Sequence, residues 1–377
     1  MPPKSFHHPA RTVHLLCSAA RKRCAHERAS HAWLARRLAA VLGWEFGGEY
    51  APGRATGPRP YFVPDETLDR AQAAALGIEG EDDLFGGVVP HAFVASKVIT
   101  HPLSDPGSAA PDGWNPALAA ALGDAVLPGA SVFDPAQLEA AGLRLLAEGG
   151  PVRLKEAQAR GGNGQHLIAD AAGLRAAIAG LDAEVVRRHG VVLEQHLERA
   201  STLSIGEVHA GGRRLAYLGT QRQVRDRAGR EVYGGSSLRV VEGGLDALEA
   251  LATGAAERAA LRQARRYDAA VSAAYPGFFA SRRNYDLVMG EDARGHLRCG
   301  VLEQSWRIGG ASPAEIVALA AFLRPGADPV QHVSCHESHD PGHVVPRGAE
   351  VHFNDPESVD GPLFKYALAE GGDGSPA

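Results

Sequence analysis

The sequence predicts a mixed α/β and α+β fold, an N-terminal α/β lobe followed by two α+β subdomains. Three stretches carry that expectation. Residues 12–76 alternate strand and helix patterns, which builds a parallel sheet. Residues 151–168 read as strand, glycine loop, strand. Residues 202–241 read as antiparallel strands with a turn at Gly211-Gly212. A chain of 377 residues has room for two or three domains, divided as 1–125, 126–200 and 201–377.

In chain order, residues 1–11 are Pro- and His-rich and expected to be disordered. Residues 12–17 form a strand. Residues 25–42 form an amphipathic helix, with Trp33, Leu34, Leu38, Val41 and Leu42 as its apolar stripe and Gly43 as its stop. Residues 51–60 are a loop, 61–63 a strand, and Asp65 is placed as the cap of the next helix. Residues 81–90 give a loop and strand, and 102–116 a Pro/Gly/Ser-rich linker. Residues 126–133 form a strand, after which Asp134-Pro135 starts a helix to about residue 148. The hairpin follows, then a helix at 171–181 and the strand 190–197. A long helix is expected over 245–274, strands near 285–289 and 297–303, and a helix at 313–323. The remainder is read as irregular, with a disordered tail from Gly371.

Composition excludes several classes. A net charge of −5 argues against a basic nucleic-acid face, and no apolar run is long enough to span a membrane. Cys17, Cys24, Cys299 and Cys335 show no paired spacing, which fits a reducing, cytoplasmic setting. Of 39 basic residues only five are lysines: Lys4, Lys22, Lys97, Lys155 and Lys365. A lysine kept against such an arginine bias points to a need for a compact, flexible ammonium. Lys97 and Lys155 are the two in suitable surroundings.

In the hairpin, Val152 and Leu154 alternate with Arg153 and Lys155, and Gly161, Gly162 and Gly164 form the tip. Bare backbone N–H groups of such a tip can cradle an anion. The lysine precedes the glycines and lies on a strand, so neither a Walker loop nor a dinucleotide fingerprint is present. The strand through Glu194, Gln195 and Leu197 ends in an acid, as the edge of a nucleotide pocket would. Asp286 and Glu303 fall on neighbouring antiparallel strands, where two carboxylates can meet a hard cation such as Mg²⁺. Glu303-Gln-Ser305-Trp-Arg307-Ile-Gly-Gly310 follows, and Arg307 is suited to a transferring phosphoryl group or a carboxylate. Residues 332–343 hold His332, Cys335, His336, His339 and His343, but their spacing matches no closed zinc pattern.

Taken in order, these parts resemble the ATP-grasp superfamily over residues 90–312: Lys97, Leu127-Pro-Gly129, Lys155 with its glycine loop, Glu194, then the Asp286–Glu303 pair with Arg307. The whole chain, with Tyr233-Gly-Gly-Ser-Ser237 and Leu302-Glu-Gln-Ser-Trp-Arg-Ile-Gly-Gly310, looks most like an uncharacterised bacterial family of that layout. The resemblance implies ATP gripped between a lid subdomain (126–200) and a C-terminal subdomain (201–377). Lys97, Lys155, Gly161, Gly162 and Gly164 would hold phosphates. Glu194, Gln195, Leu197 and Glu198 would meet adenine and ribose. Asp286, Glu303 and Ser305 would hold Mg²⁺, with Mn²⁺ as the alternative. Arg307 and Arg222 would serve catalysis, and Arg222 with Arg282-Arg283 would favour an acidic substrate if they line the cleft.

The implied reaction is ligation of a small-molecule carboxylate to an amine, thiol or similar nucleophile through an acylphosphate. The alternatives are a catalytically weak nucleotide-binding or regulatory protein of the same fold, and an ATP-dependent phosphotransferase. Three departures stand out. Glu156 follows the strand lysine where proline is common, Ser305 replaces the usual asparagine, and Thr202 stands where an acid often lies. The substrates and the oligomeric state are left open.

Overall fold

The N-terminal lobe begins with a parallel sheet in the order Glu45–Glu49, Thr12–Leu16, Pro60–Pro64. The computed structural model describes residues 10–19, 23–53, 56–57, 59–159, 164–359 and 361–370. The helix Ala25–Leu42 buries Leu34, Ala35 and Leu38 and stops at the left-handed Gly43. The strand Glu45–Glu49 departs from the expectation. Two acids and two glycines give it little strand propensity, and its order comes from pairing with Thr12–Leu16. Asp65 also departs. It is buried and accepts a hydrogen bond from the Ser18 amide at 2.7 Å, while Asp69 caps the helix Arg70–Leu76.

The segment between 129 and 195 forms a four-stranded antiparallel sheet in the order Gly129–Val132, Val191–Gln195, Val152–Glu156, Gln165–Ile168. The hairpin pairs Lys155 with Gln165 and Val152 with Ile168. Helices Leu138–Gly149, Ala171–Ala179 and Ala183–His189 add Leu138, Leu174 and Val186 to a core with Val152, Leu154 and Leu193.

The rest is dominated by an eight-stranded sheet. Its order is Leu297–Ser305, Arg282–Glu291, Glu198–Ala210, Arg213–Arg225, Glu231–Glu242, Val330–Ser338, Phe364–Glu370, Glu350–Asn354. All its pairings are antiparallel. One face packs on the helix Ala255–Ala274 through Leu261, Ala264, Tyr267 and Val271. The other packs on Ser312–Phe322, which is buried on nearly every side and lies between the sheet and the N-terminal helix.

Two further expectations need correction. The helix over 245–274 is broken: Leu245–Ala250 is a 3₁₀ turn, and Thr253-Gly254 interrupts it before the true helix begins at Ala255. The C-terminal region is not irregular, because three of its segments extend the large sheet. In the His-rich stretch His336 and His343 stack on Tyr366, and among the described residues no three His, Cys, Asp or Glu side chains gather as a metal set. No helix among them is long and apolar enough to cross a membrane. The terminal stretches 1–9 and 371–377 lie outside the described residues.

Candidate functional site

Strand alternation decides which hairpin residues reach the site. Leu154 sits opposite Leu193 and faces the core under the helices. Lys155 therefore takes the other face, diagonal to Glu194, whose direct partner is Arg153. The Lys155 ammonium pairs with one Glu194 oxygen, and His101 Nε2 lies 3.3 Å from the other. All three side chains are almost fully buried. Burial alone would raise the Glu194 pKa, but the Lys155 charge and the His101 hydrogen bond hold it down at about 2. Gly129 stands opposite Glu194, and a Cβ there would lie 2.7 Å from the His101 ring, so only glycine admits the imidazole.

At the strand end, the Gln195 amide is committed to Pro128 O at 2.8 Å, and its buried side chain lies 3.5 Å from Gly149 O. Leu197 packs with Leu127, Val288 and Leu302, an apolar patch between the small sheet and the large one. Glu198 is exposed and opens the long strand opposite Glu291. At the hairpin tip, Gly164 has a left-handed φ of 59°, and a Cβ there would meet Ala159 at 2.6 Å. Gly161 and Gly162 lie outside the described residues.

Lys97 joins the hairpin to the acids. Its Nζ donates to Ala159 O at 2.7 Å and lies 3.0 Å from Glu303 Oε2. Glu303 is directly opposite Asp286, so the two carboxylates share one face. Asp286 Oδ1 accepts from Gln221 Nε2 at 2.6 Å and from Asn284 Nδ2 at 2.8 Å. Burial, then the Glu303 charge, pushes the Asp286 pKa up to about 6 against these hydrogen bonds. Two hard-oxygen donors crowded this way fit Mg²⁺, which would relieve their repulsion.

Ser305 fits that role poorly. Its hydroxyl accepts from Arg282 Nη1 at 3.2 Å, which sets a fixed cation beside the proposed ligand. Arg282 is itself fully buried against Glu315, at 2.7 Å, and donates to Ser305 O and Arg307 O at 3.1 and 2.7 Å. Arg283 pairs with Asp268 and Glu81. Neither arginine is placed for substrate. Arg222 is also set apart: alternation puts it on the face opposite Gln221, donating to Gly234 O and lying 3.0 Å from His336. Arg307 stays in the loop after Ser305 and donates to Ile308 O at 2.6 Å.

His101 and Gln221 contact the acids of the site but were not singled out from the sequence. Gln221 could have been found by asking which neighbour of Arg222 shares a face with Asp286. His101 had only its place four residues after Lys97. Surface cavities of about 440 Å³ beside Asp69, Arg70 and His91, and about 190 Å³ beside Thr220, Arg239 and His332, lie away from the lysines and acids.

A family model described as a protein of unknown function, DUF3182, matches residues 15–367. No curated protein sequence matches the chain. Among solved structures, the carboxyaminoimidazole ribonucleotide synthase of Aspergillus clavatus, complexed with ATP, superposes with a TM-score of 0.54 at 11% identity, covering 96% of this chain and 94% of that one. The biotin carboxylase domain of the Hydrogenobacter thermophilus 2-oxoglutarate carboxylase gives 0.53 at 13%, covering 95% and 86%. The phosphoribosylamine–glycine ligase of Thermotoga maritima gives 0.52 at 13%, covering 95% and 92%. The chain belongs to the DUF3182 family of proteins of unknown function, and its fold is that of the ATP-grasp enzymes.

Proposed function

We propose that the protein binds ATP with Mg²⁺ between the 126–200 lid and the 201–377 sheet, and uses it to activate a small-molecule carboxylate for ligation. One observation carries this reading. Two buried lysines from different segments are each neutralised by an acid, Lys155 by Glu194 and Lys97 by Glu303, and Lys97 reaches from Ala159 O of the hairpin to the Glu303–Asp286 pair. Polyphosphate would offer both lysines a stronger anionic partner. The resemblance to solved structures complexed with ATP supports the nucleotide class.

In this reading Lys97 and Lys155 bind and orient the phosphates, and the Leu127–Leu197–Val288 patch receives the base. Asp286 and Glu303 would hold Mg²⁺, which supplies charge neutralisation at the phosphates. Arg307 steadies the transferred group. A carboxylate oxygen of the substrate attacks the γ-phosphorus, the bond to the β,γ-bridging oxygen breaks, and ADP leaves. An amine or similar nucleophile then attacks the acyl carbon, phosphate departs, and the nucleophile's proton is lost to solvent. Catalysis rests on position and charge, with no covalent enzyme intermediate.

A second reading, nucleotide binding with little turnover, is favoured by Ser305 being held on Arg282 and by Arg222 facing away. Phosphate release measured across panels of carboxylates and amines separates them. ADP and phosphate formed only when both co-substrates are present support the ligase. Binding without release supports the second reading, and a phosphorylated product supports a phosphotransferase.

A further inference from the structure

The acid pair is tied to a buried network that the proposed reaction does not itself use. Glu315, on the helix Ser312–Phe322, is almost fully buried and accepts from Arg282 Nη2 at 2.7 Å and from the Tyr217 hydroxyl at 2.7 Å. The same hydroxyl lies 2.8 Å from Asn284 Oδ1, so its one hydrogen serves both oxygens. Asn284 Oδ1 also accepts from Ser204 Oγ at 2.6 Å, and the acceptor-only Asp286 carboxylate takes the NH₂ side of the amide. The Asn284 NH₂ then donates to Asp286 Oδ1, beside the Gln221 donor. Both donors fall on one carboxylate oxygen, and among the described residues no hydrogen bond engages Oδ2. From the other end of the same ion pair, one Arg282 nitrogen holds Ser305 O, Ser305 Oγ and Arg307 O.

A buried ion pair is costly to desolvate, and an apolar pair of the same shape often serves stability as well. Stability alone therefore does not explain why its hydrogen bonds run to the acid and to the arginine loop.

We propose that Arg282, Glu315, Tyr217 and Ser204 form a buried positioning relay that orients Asp286, through Asn284, for a divalent cation while fixing the Ser305–Arg307 turn. The inference rests on the Mg²⁺–ATP reading. These residues touch neither nucleotide nor metal. They act through Asn284 and through the backbone of the turn, as the outer partners of metal ligands do elsewhere.

The test uses Tyr217→Phe, which keeps the packing and removes only the hydroxyl. Mn²⁺ affinity is measured by electron paramagnetic resonance in the presence of a non-hydrolysable ATP analogue, and analogue affinity is measured separately in EDTA. Roughly a tenfold loss of Mn²⁺ affinity is expected, with metal-free analogue affinity within about twofold of wild type. Tyr267→Phe, a buried tyrosine on the opposite sheet face bonded to Gln304, should leave Mn²⁺ affinity unchanged. Ser204→Ala carries the same expectation as Tyr217→Phe and replaces it if that variant folds poorly. Unchanged Mn²⁺ affinity in the folded relay variant overturns the relay, as does an equal loss in Tyr267→Phe. A wild type that binds no analogue at all overturns the nucleotide reading itself, which is a different failure.

Discussion

Arg282→Met should lower the unfolding free energy by about 3–5 kcal/mol, the usual cost of removing one member of a buried ion pair. Glu315 would keep its charge inside the protein, where each side chain of the pair is 1% exposed, with the Tyr217 hydroxyl as its remaining side-chain hydrogen-bond partner among the described residues. Ser305 O and Arg307 O would each lose the Arg282 donor. Urea unfolding followed by circular dichroism checks this, read as a lower midpoint at unchanged slope. The double variant Arg282→Met with Glu315→Leu should recover much of the loss, because no stranded charge remains. A single variant within about 1 kcal/mol of wild type would mean that the pair is solvated and does not hold the loop.

Glu194→Gln should be comparably severe, at about 3–5 kcal/mol near neutral pH, since it leaves the buried Lys155 ammonium without its counter-ion. It also has a pH signature. The Glu194 carboxyl is lowered on folding, from an ordinary 4.5 to about 2. Such a group contributes stability that is fully present above its unfolded value and is lost as pH falls through its folded value. Wild type should therefore shed on the order of 3 kcal/mol more than Glu194→Gln between about pH 4.5 and 2. Stability measured against pH on both proteins reads the difference directly. Parallel acid limbs would show that Glu194 is not held ionised by Lys155 and His101.

Much of the fold is written in local pattern. The Lys155 hairpin, the Gly211-Gly212 turn and the helix Ala25–Leu42 follow from period and turn chemistry, and each is where its residues place it. Glu45–Glu49 and the last three strands of the large sheet have weak signatures of their own. Glu45–Glu49 and Val330–Ser338 pair with strands far along the chain, Glu350–Asn354 and Phe364–Glu370 pair with each other, and pairing supplies what propensity does not. At the site, residue chemistry pointed to Lys97, Lys155, Glu194, Asp286 and Glu303, because lysine among arginines and acids on paired strands are visible in one dimension. Facing was harder. Arg222 and Gln221 are neighbours in sequence, yet only the glutamine reaches Asp286. Arg282 looked suited to a substrate, and nothing local revealed Glu315, 33 residues on, as its partner.

The most direct measurement of nucleotide binding is the thermal stability of wild type and Lys155→Ala with and without Mg²⁺–ATP. A ligand at about a hundred times its Kd stabilises the folded state by about 2.7 kcal/mol, enough to displace a melting curve. The expected result is a clear rise in Tm for wild type and none for Lys155→Ala at the same ATP concentration. An equal rise in both proteins, or no rise in wild type at millimolar ATP, would contradict the assignment of this lysine–acid cluster as a nucleotide site.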